Sequence, residues 1–183
     1  MAQRAISLDA NCVDAWAYFF QCVRDVDGEE KAVAAIEELA DATVNRKSVA
    51  PFVAVQGFYA NDEATRDKAL GWAQKAVDRN GDDPLAILCL SALHGQKGDL
   101  DAVIKLLQPH EAKMSRDVRL ANNYFEALFQ ARQIEKVTKL LNALAASPNR
   151  EVKQFAIERS RFVAQFLQQQ QQQLAGAGAQ RKS

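Results

Sequence analysis

Trp16, Val53, Ile87 and Ala121 each stand sixteen residues ahead of a small aliphatic residue: Ala32, Ala69, Val103 and Val137 in turn. The four leading positions are themselves 37, 34 and 34 residues apart. A period near 34 residues fits one helix, a turn and a return helix, and such a pair cannot bury its apolar stripe alone. The pairs must stack on one another, which predicts an all-α fold, an α-solenoid of antiparallel helix pairs. Arrays of this kind offer an extended surface to a partner and carry no catalytic machinery, so the period also selects a class of function.

Composition agrees with a folded scaffold. The chain has 183 residues, of which 48% are hydrophobic, enough for a continuous core. Lysine plus arginine equals aspartate plus glutamate at 23 each, which argues against a general nucleic-acid binder. From Ser147 onward six basic residues face two acidic ones, net +4, leaving −4 for the preceding part, an asymmetry we read as solvated surface. No run of about eighteen apolar residues exists, so no membrane insertion is expected. Residues 1–9 lack the charged start and apolar run of a secretory signal. The three cysteines, Cys12, Cys22 and Cys89, have no metal-ligand spacing and read as reduced thiols. They point to the cytoplasm or another reducing compartment, or to the periplasm if the chain is a fragment whose signal was removed.

Local signals mark the helices. Trp16, Phe19, Phe20 and Val23 lie at helical spacing in a first helix that Asp27-Gly28 breaks. The return helix, residues 29–44, carries Ala32, Val33, Ile36, Leu39 and Ala40 on one stripe. Residues 48–59 follow, with Ser48 as N-cap, and then a helix holding Ala69, Trp72, Ala73, Ala76 and Val77 that Asn80-Gly81 ends. Asp83-Pro84 reads as the N-cap and first-turn proline of the third pair. Its helix runs to Lys97, Gly98-Asp99 makes the return, and residues 101–108 form a short partner cut by Pro109. The fourth pair starts at Ser115, passes through Leu120, Tyr124 and Leu128, and closes with Ile134, Val137, Leu140, Leu141 and Leu144. Four hairpins thus fill residues 13–148.

Residues 1–12 read as the second half of a return helix whose first half is missing, which would leave one repeat edge open. At the other end Phe155 falls 34 residues after Ala121 and Phe162 falls 34 after Leu128, yet no turn arrives where a fifth hairpin should reverse. Val152, Phe155, Phe162, Val163 and Phe166 make one apolar stripe. Residues 149–174 are therefore expected to form a C-terminal capping helix, with Arg159, Arg161 and Gln165 toward water. The glutamine run at residues 168–173 extends it, and residues 175–183 are expected to be disordered.

The pattern W-x2-L-G-x2-Y, then A-x3-F, then P belongs to the tetratricopeptide repeat, which this chain resembles over roughly residues 2–167. The first pair places Trp16, Phe19, Phe20 and Val23, then Ala32 and Ile36, in that pattern. The second offers Val53, Gly57 and Ala60, then Ala69 and Ala73; the third Ile87, Leu90, Ser91 and His94, then Val103 and Leu107. The fourth gives Ala121, Tyr124, Phe125 and Leu128, then Val137 and Leu141. Phe20 and Phe125 stand where the family keeps a small residue, as Gly57 and Ser91 do in the other pairs, so those hairpins are expected to widen or tilt. Three residues are inserted around Asn45-Arg46-Lys47, and Pro148 sits one residue early for the closing proline.

The resemblance implies a right-handed superhelix whose first helices line a concave, partner-binding face. Its residues would be Asp14, Ala17 and Gln21, with Arg24 beyond; then Ala54, Phe58 and Asn61; then Leu85, Leu88 and Ala92; and finally Arg119, Asn122, Glu126 and Phe129. Such a surface, with an apolar middle, suits an extended peptide or an amphipathic helix. The subclass that grips the C-terminal carboxylate of heat-shock chaperones uses Lys, Asn and Arg at positions occupied here by Ala17, Gln21, Val55, Leu85 and Cys89. No carboxylate clamp can be built from those side chains.

Sites for other chemistry are sparse. His94 and His110 have no Cys, Asp or Glu at ligand spacing on the same helix face, and His94 is expected in the core, so no metal or cofactor is expected. Cys22 and Cys89 are expected to fill core space, with Cys12 near a helix start. Glu29-Glu30 and Glu37-Glu38 are adjacent and so point apart on a helix. Gly95-Gln96-Lys97-Gly98 lacks the spacing of a phosphate loop. Arg161 with Phe162 and Phe166 is read as part of the capping stripe rather than an RNA patch. The residues predict a non-catalytic scaffold that binds a peptide or helical segment of a protein partner. Two other roles fit them: self-association into a homo-oligomer through the open N-terminal edge, and a regulatory appendage of a larger enzyme.

Overall fold

The computed structural model describes residues 1–43 and 45–180, with side chains as far as Gln173. Val44, expected at the end of the first return helix, and residues 181–183 of the tail lie outside the described residues. Every regular element among those described is helical: α1 (Ala2–Leu8), α2 (Val13–Asp27), α3 (Glu29–Ala42), α4 (Ala50–Tyr59), α5 (Arg66–Arg79), α6 (Pro84–Gln96), α7 (Leu100–Leu107), α8 (Glu111–Met114), α9 (Val118–Gln130), α10 (Ile134–Ala145) and α11 (Arg150–Gln180). Short 3-10 turns occupy Glu63–Thr65 and Gln108–His110. No helix among the described residues is long and apolar enough to cross a membrane. The chain divides into two compact units, Met1–Leu107 and Gln108–Ser183.

In unit 1 each helix packs on the next as α2 on α3, α4 on α5 and α6 on α7. The first helices also meet one another, α2 against α4 and α4 against α6, so they run side by side in that order. The sixteen-residue spacing explains the closeness of each pair. Trp16 and Ala32, Val53 and Ala69, and Ile87 and Val103 are all buried, none more than 7% exposed. The leading residue on the first helix and the small one on the return helix are both buried in each pair; Ala69, Ala73 and Ala76 are fully buried along a single stripe of α5.

The turns follow local chemistry. Gly28 (φ 92°) and Gly98 (φ 74°) adopt the left-handed region that glycine occupies without steric cost. In unit 2 the matching turn places Arg132 at φ 58°. Its backbone bonds reproduce those around Gly98 residue for residue: Asp99 N–H donates to His94 O and Leu100 N–H to Gly98 O, as Gln133 does to Leu128 and Ile134 to Arg132. Asp83 caps α6 through the Leu85 N–H with Pro84 at the first turn, as expected. Two starts shift: Asp117, not Ser115, caps α9, and Val49 precedes α4 with Ser48 accepting from the Ala50 N–H.

Buried Ser48 donates to the carbonyl of Ala10 at 2.7 Å, and buried Ser147 donates to the carbonyl of Ser115 at 2.7 Å. Those carbonyls lie six residues ahead of Trp16 and Ala121 respectively. Each serine therefore ties the end of one pair to the entry of that same pair. The Trp16 indole N–H shares the Ala10 acceptor at 3.0 Å.

Unit 2 builds its core from Met114, Leu120, Ala121, Tyr124, Phe125, Leu128, Val137, Leu140, Leu141 and Leu144. α10 packs on α9, and α11 packs on both. Val152, Ala156 and Val163 of α11 are buried against that pair. α11 has no internal break and is helical through the residues from 175 to Gln180, where a disordered tail was expected. Pro109 falls in the 3-10 turn that separates α7 from α8, where its missing N–H ends the α-helical ladder.

Three packing expectations are corrected. Gly57 is exposed and open space surrounds the place of a Cβ, so it is not a close-contact position; Phe20 and Phe125, by contrast, are fully buried. Cys22 is exposed, because it falls off the stripe of Trp16, Phe19, Phe20 and Val23 on α2; Cys12 and Cys89 are half-buried. His94 sits half-buried at the end of α6, its Nδ1 3.6 Å from Asp99 Oδ2, rather than in the core.

Candidate partner-binding groove

α2 and α4 lie side by side, and between them opens a cavity of about 570 Å³. Its floor is apolar, formed by Ala17, Phe20, Val53 and the buried Ala54. Phe58, 39% exposed, and Tyr18, 61% exposed, rise at the rim. Gln21, Gln56 and the Tyr18 hydroxyl supply polar side-chain atoms. No lining residue is acidic, basic, histidine or cysteine, and the pKa of the Tyr18 hydroxyl at the rim is raised by its hydrogen bond with the neighbouring Cys22 thiol. An amide side chain offers both donors and an acceptor, which matches the repeating N–H and C=O of a peptide backbone.

Phe58 is held in place by its neighbours. Its ring meets Phe20 edge-on with centroids 5.4 Å apart and Tyr59 at 5.2 Å, near-perpendicular. The Arg24 guanidinium lies over the ring, 4.0 Å from the centroid, while Arg24 Nη2 also contacts Asp25 Oδ1 at 3.2 Å. Tyr59 is buried behind Phe58. Burial, and then the hydrogen bond to the Glu29 carboxylate, push its hydroxyl up to about 12. Glu29 is held below its ordinary value chiefly by the hydrogen bond from Lys68.

Of the expected groove residues, Ala17, Gln21, Ala54 and Phe58 come together here, with Arg24 at the edge. Asp14 is exposed on the first turn of α2, and Asn61 lies beyond the end of α4. On α6, Leu85 and Leu88 are half-buried and Ala92 is exposed. Tyr18 and Gln56 were missed. Tyr18 stands outside the stripe that Trp16, Phe19 and Phe20 already fill, and a large aromatic beside a saturated stripe is the signal that could have revealed it.

Three of the four α9 residues are engaged by α11. Arg159 of α11 donates to Asn122 Oδ1 at 3.0 Å and pairs with Glu126 Oε1 at 3.1 Å. Phe129 packs on Phe162 and Phe166 at 5.3 and 5.1 Å. Asn122, Glu126 and Phe129 are thus engaged by α11 of the same chain, while Arg119 pairs with Asp117 at 2.9 Å. Among the described residues no group of three or more His, Cys, Asp or Glu side chains could hold a metal ion.

No family model matches the chain, and no curated protein matches it in sequence.

Proposed function

We propose that this chain is a tetratricopeptide-like α-solenoid and a non-catalytic interaction scaffold. It takes an extended peptide or amphipathic helix of a protein partner into the groove between α2 and α4. The observation that carries this reading is the apolar cavity rimmed by Phe58 and Tyr18, with the amides of Gln21 and the buried Gln56 in its lining. An apolar partner side chain buried on Phe20, Val53 and Phe58 contributes about 1.5–3 kcal/mol. Gln21 and Gln56 hydrogen-bond the partner backbone and fix its register, and Arg24 meets a carboxylate at the edge. Three free thiols suit a reducing compartment.

Affinity capture from native lysate, run with the natural chain and with Ala17→Glu/Phe58→Glu, tests the proposal. Proteins retained by the first and lost with the second, at unchanged helix content, are the expected result. An identical captured set would overturn it. The self-association reading has its own support in Leu8, 82% exposed on α1. Sedimentation of the chain and of Leu8→Glu separates it, since only that reading predicts a concentration-dependent dimer that the variant abolishes.

A further inference from the structure

Three ion pairs tie α3 to α5: Glu29 to Lys68 at 2.7 Å, Glu37 to Lys75 at 2.5 Å and Asp41 to Arg79 at 2.6 Å. The acids stand 13, 21 and 25 residues after Trp16, and the bases 15, 22 and 26 residues after Val53. The same counts from Ile87 fall on Leu100, Gln108 and Ala112, and from Ala121 on Lys136, Ala143 and Ser147. One base is kept, every acid is gone, and two rungs are cut down to neutral side chains.

In unit 2 the shortened positions Gln108, Ala112 and Ala143 line an open cavity of about 400 Å³, with Leu140 and Leu144 beneath. That volume lies in the range of ligand pockets. Lys136 and Lys139 stand on its wall, exposed and without an ion-pair partner among the described residues. They are one helical turn apart, so their like charges repel and an added carboxylate is favoured. The one carboxylate in the lining, Glu111, accepts from the buried Tyr124 hydroxyl at 3.0 Å and makes no ion pair with either lysine.

We infer that this cavity between α8 and α10 is a second docking site, for an acidic segment of another protein that inserts one apolar side chain between carboxylates reaching Lys136 and Lys139. The missing rungs explain both halves of the site. Small side chains leave the volume, and the retained lysine keeps a charge without an ion-pair partner among the described residues. A carboxylate and an ammonium make a charge-assisted bond that needs no fixed orientation, which suits a short flexible segment. The site does not depend on the groove between α2 and α4.

A library of short random peptides displayed against the full chain tests the inference. The enriched peptides are then titrated by fluorescence anisotropy against the natural chain, Lys136→Glu/Lys139→Glu, Ala143→Trp and Ala17→Glu/Phe58→Glu. Expected are peptides with Asp or Glu flanking a Leu or Phe, bound about tenfold or more weakly by each of the first two variants and equally by the third. Their affinity should also fall with added salt. Enrichment without acidic bias, or loss only in the third variant, would overturn the site. So would a self-association that Ala143→Trp abolishes, since the occupant would then be a second copy. Both altered lysines are exposed, so that variant remains informative even if Ala143→Trp unfolds.

Discussion

Ala17, Gln21 and Arg24 on α2 correspond, by a constant offset of 105 residues, to Asn122, Glu126 and Phe129 on α9. The two faces hold the same place in the repeat and meet opposite fates. On α2 the neighbouring helix presents Val53 and Gly57, and a cavity stays open. On α9 the neighbouring helix presents Phe155 and Arg159, 102 residues further on from that pair, and Arg159 bonds Asn122 and Glu126 while Phe162 and Phe166 cover Phe129. Exposure of a repeat position is therefore decided by the side chains of the next helix, not by the position itself. The bareness of Gly57 makes the groove.

The largest expected effect separates covered from open aromatic residues. Phe125→Ala, fully buried among Phe129, Phe155 and Arg159, should lower unfolding stability by about 3–5 kcal/mol. Phe58→Ala, 39% exposed, should cost about 1–2 kcal/mol in the same urea titration. Equal losses would break the contrast between the two faces.

The matched turns give a smaller test. Gly98→Ala should destabilise by about 1 kcal/mol, because alanine at φ 74° is strained. Arg132→Gly relieves that strain at φ 58° but forfeits the Arg132 guanidinium over Phe166, 5.1 Å away, so its gain should stay below about 1 kcal/mol. Thermal melts check both signs.

The smallest effect concerns the ladder of unit 1. Lys68 holds the Glu29 carboxyl below its ordinary value, so the folded state binds that proton less readily than the unfolded chain. The stabilisation is present above the ordinary glutamate value and is lost as pH falls through the lowered one. Glu29→Gln should flatten the acid limb of the urea midpoint by at most about 1 kcal/mol, an effect that salt should shrink.

Much of the fold was legible because the contact within a pair is fixed by spacing. Trp16 and Ala32, or Ala121 and Val137, belong to one hairpin, and the period alone reports that they are buried. Asp83-Pro84 was legible for a similar reason, since a cap acts within two residues. Contacts between pairs were harder. Nothing in the local sequence announces that Gly57 faces open space, that Cys22 falls outside the stripe, or that α11 reaches back over Asn122 and Glu126. Ser48 reads as a helix cap and Ser147 as an ordinary loop serine until the distant carbonyls they bond are known. Of the candidate groove, the aliphatic floor and Phe58 were readable from register, whereas Tyr18 and Gln56 depended on how far α2 and α4 are spaced.

The central claim is that the face of α2 is open while its counterpart on α9 is closed by α11. Thiol labelling of the full chain tests it directly. With Cys12, Cys22 and Cys89 replaced by serine, a single cysteine is placed at Gln21 or at Glu126, and the native labelling rates are compared. Gln21→Cys should react at close to the rate of an unstructured thiol, and Glu126→Cys several-fold more slowly beneath Arg159. Equal rates at the two positions would contradict the account.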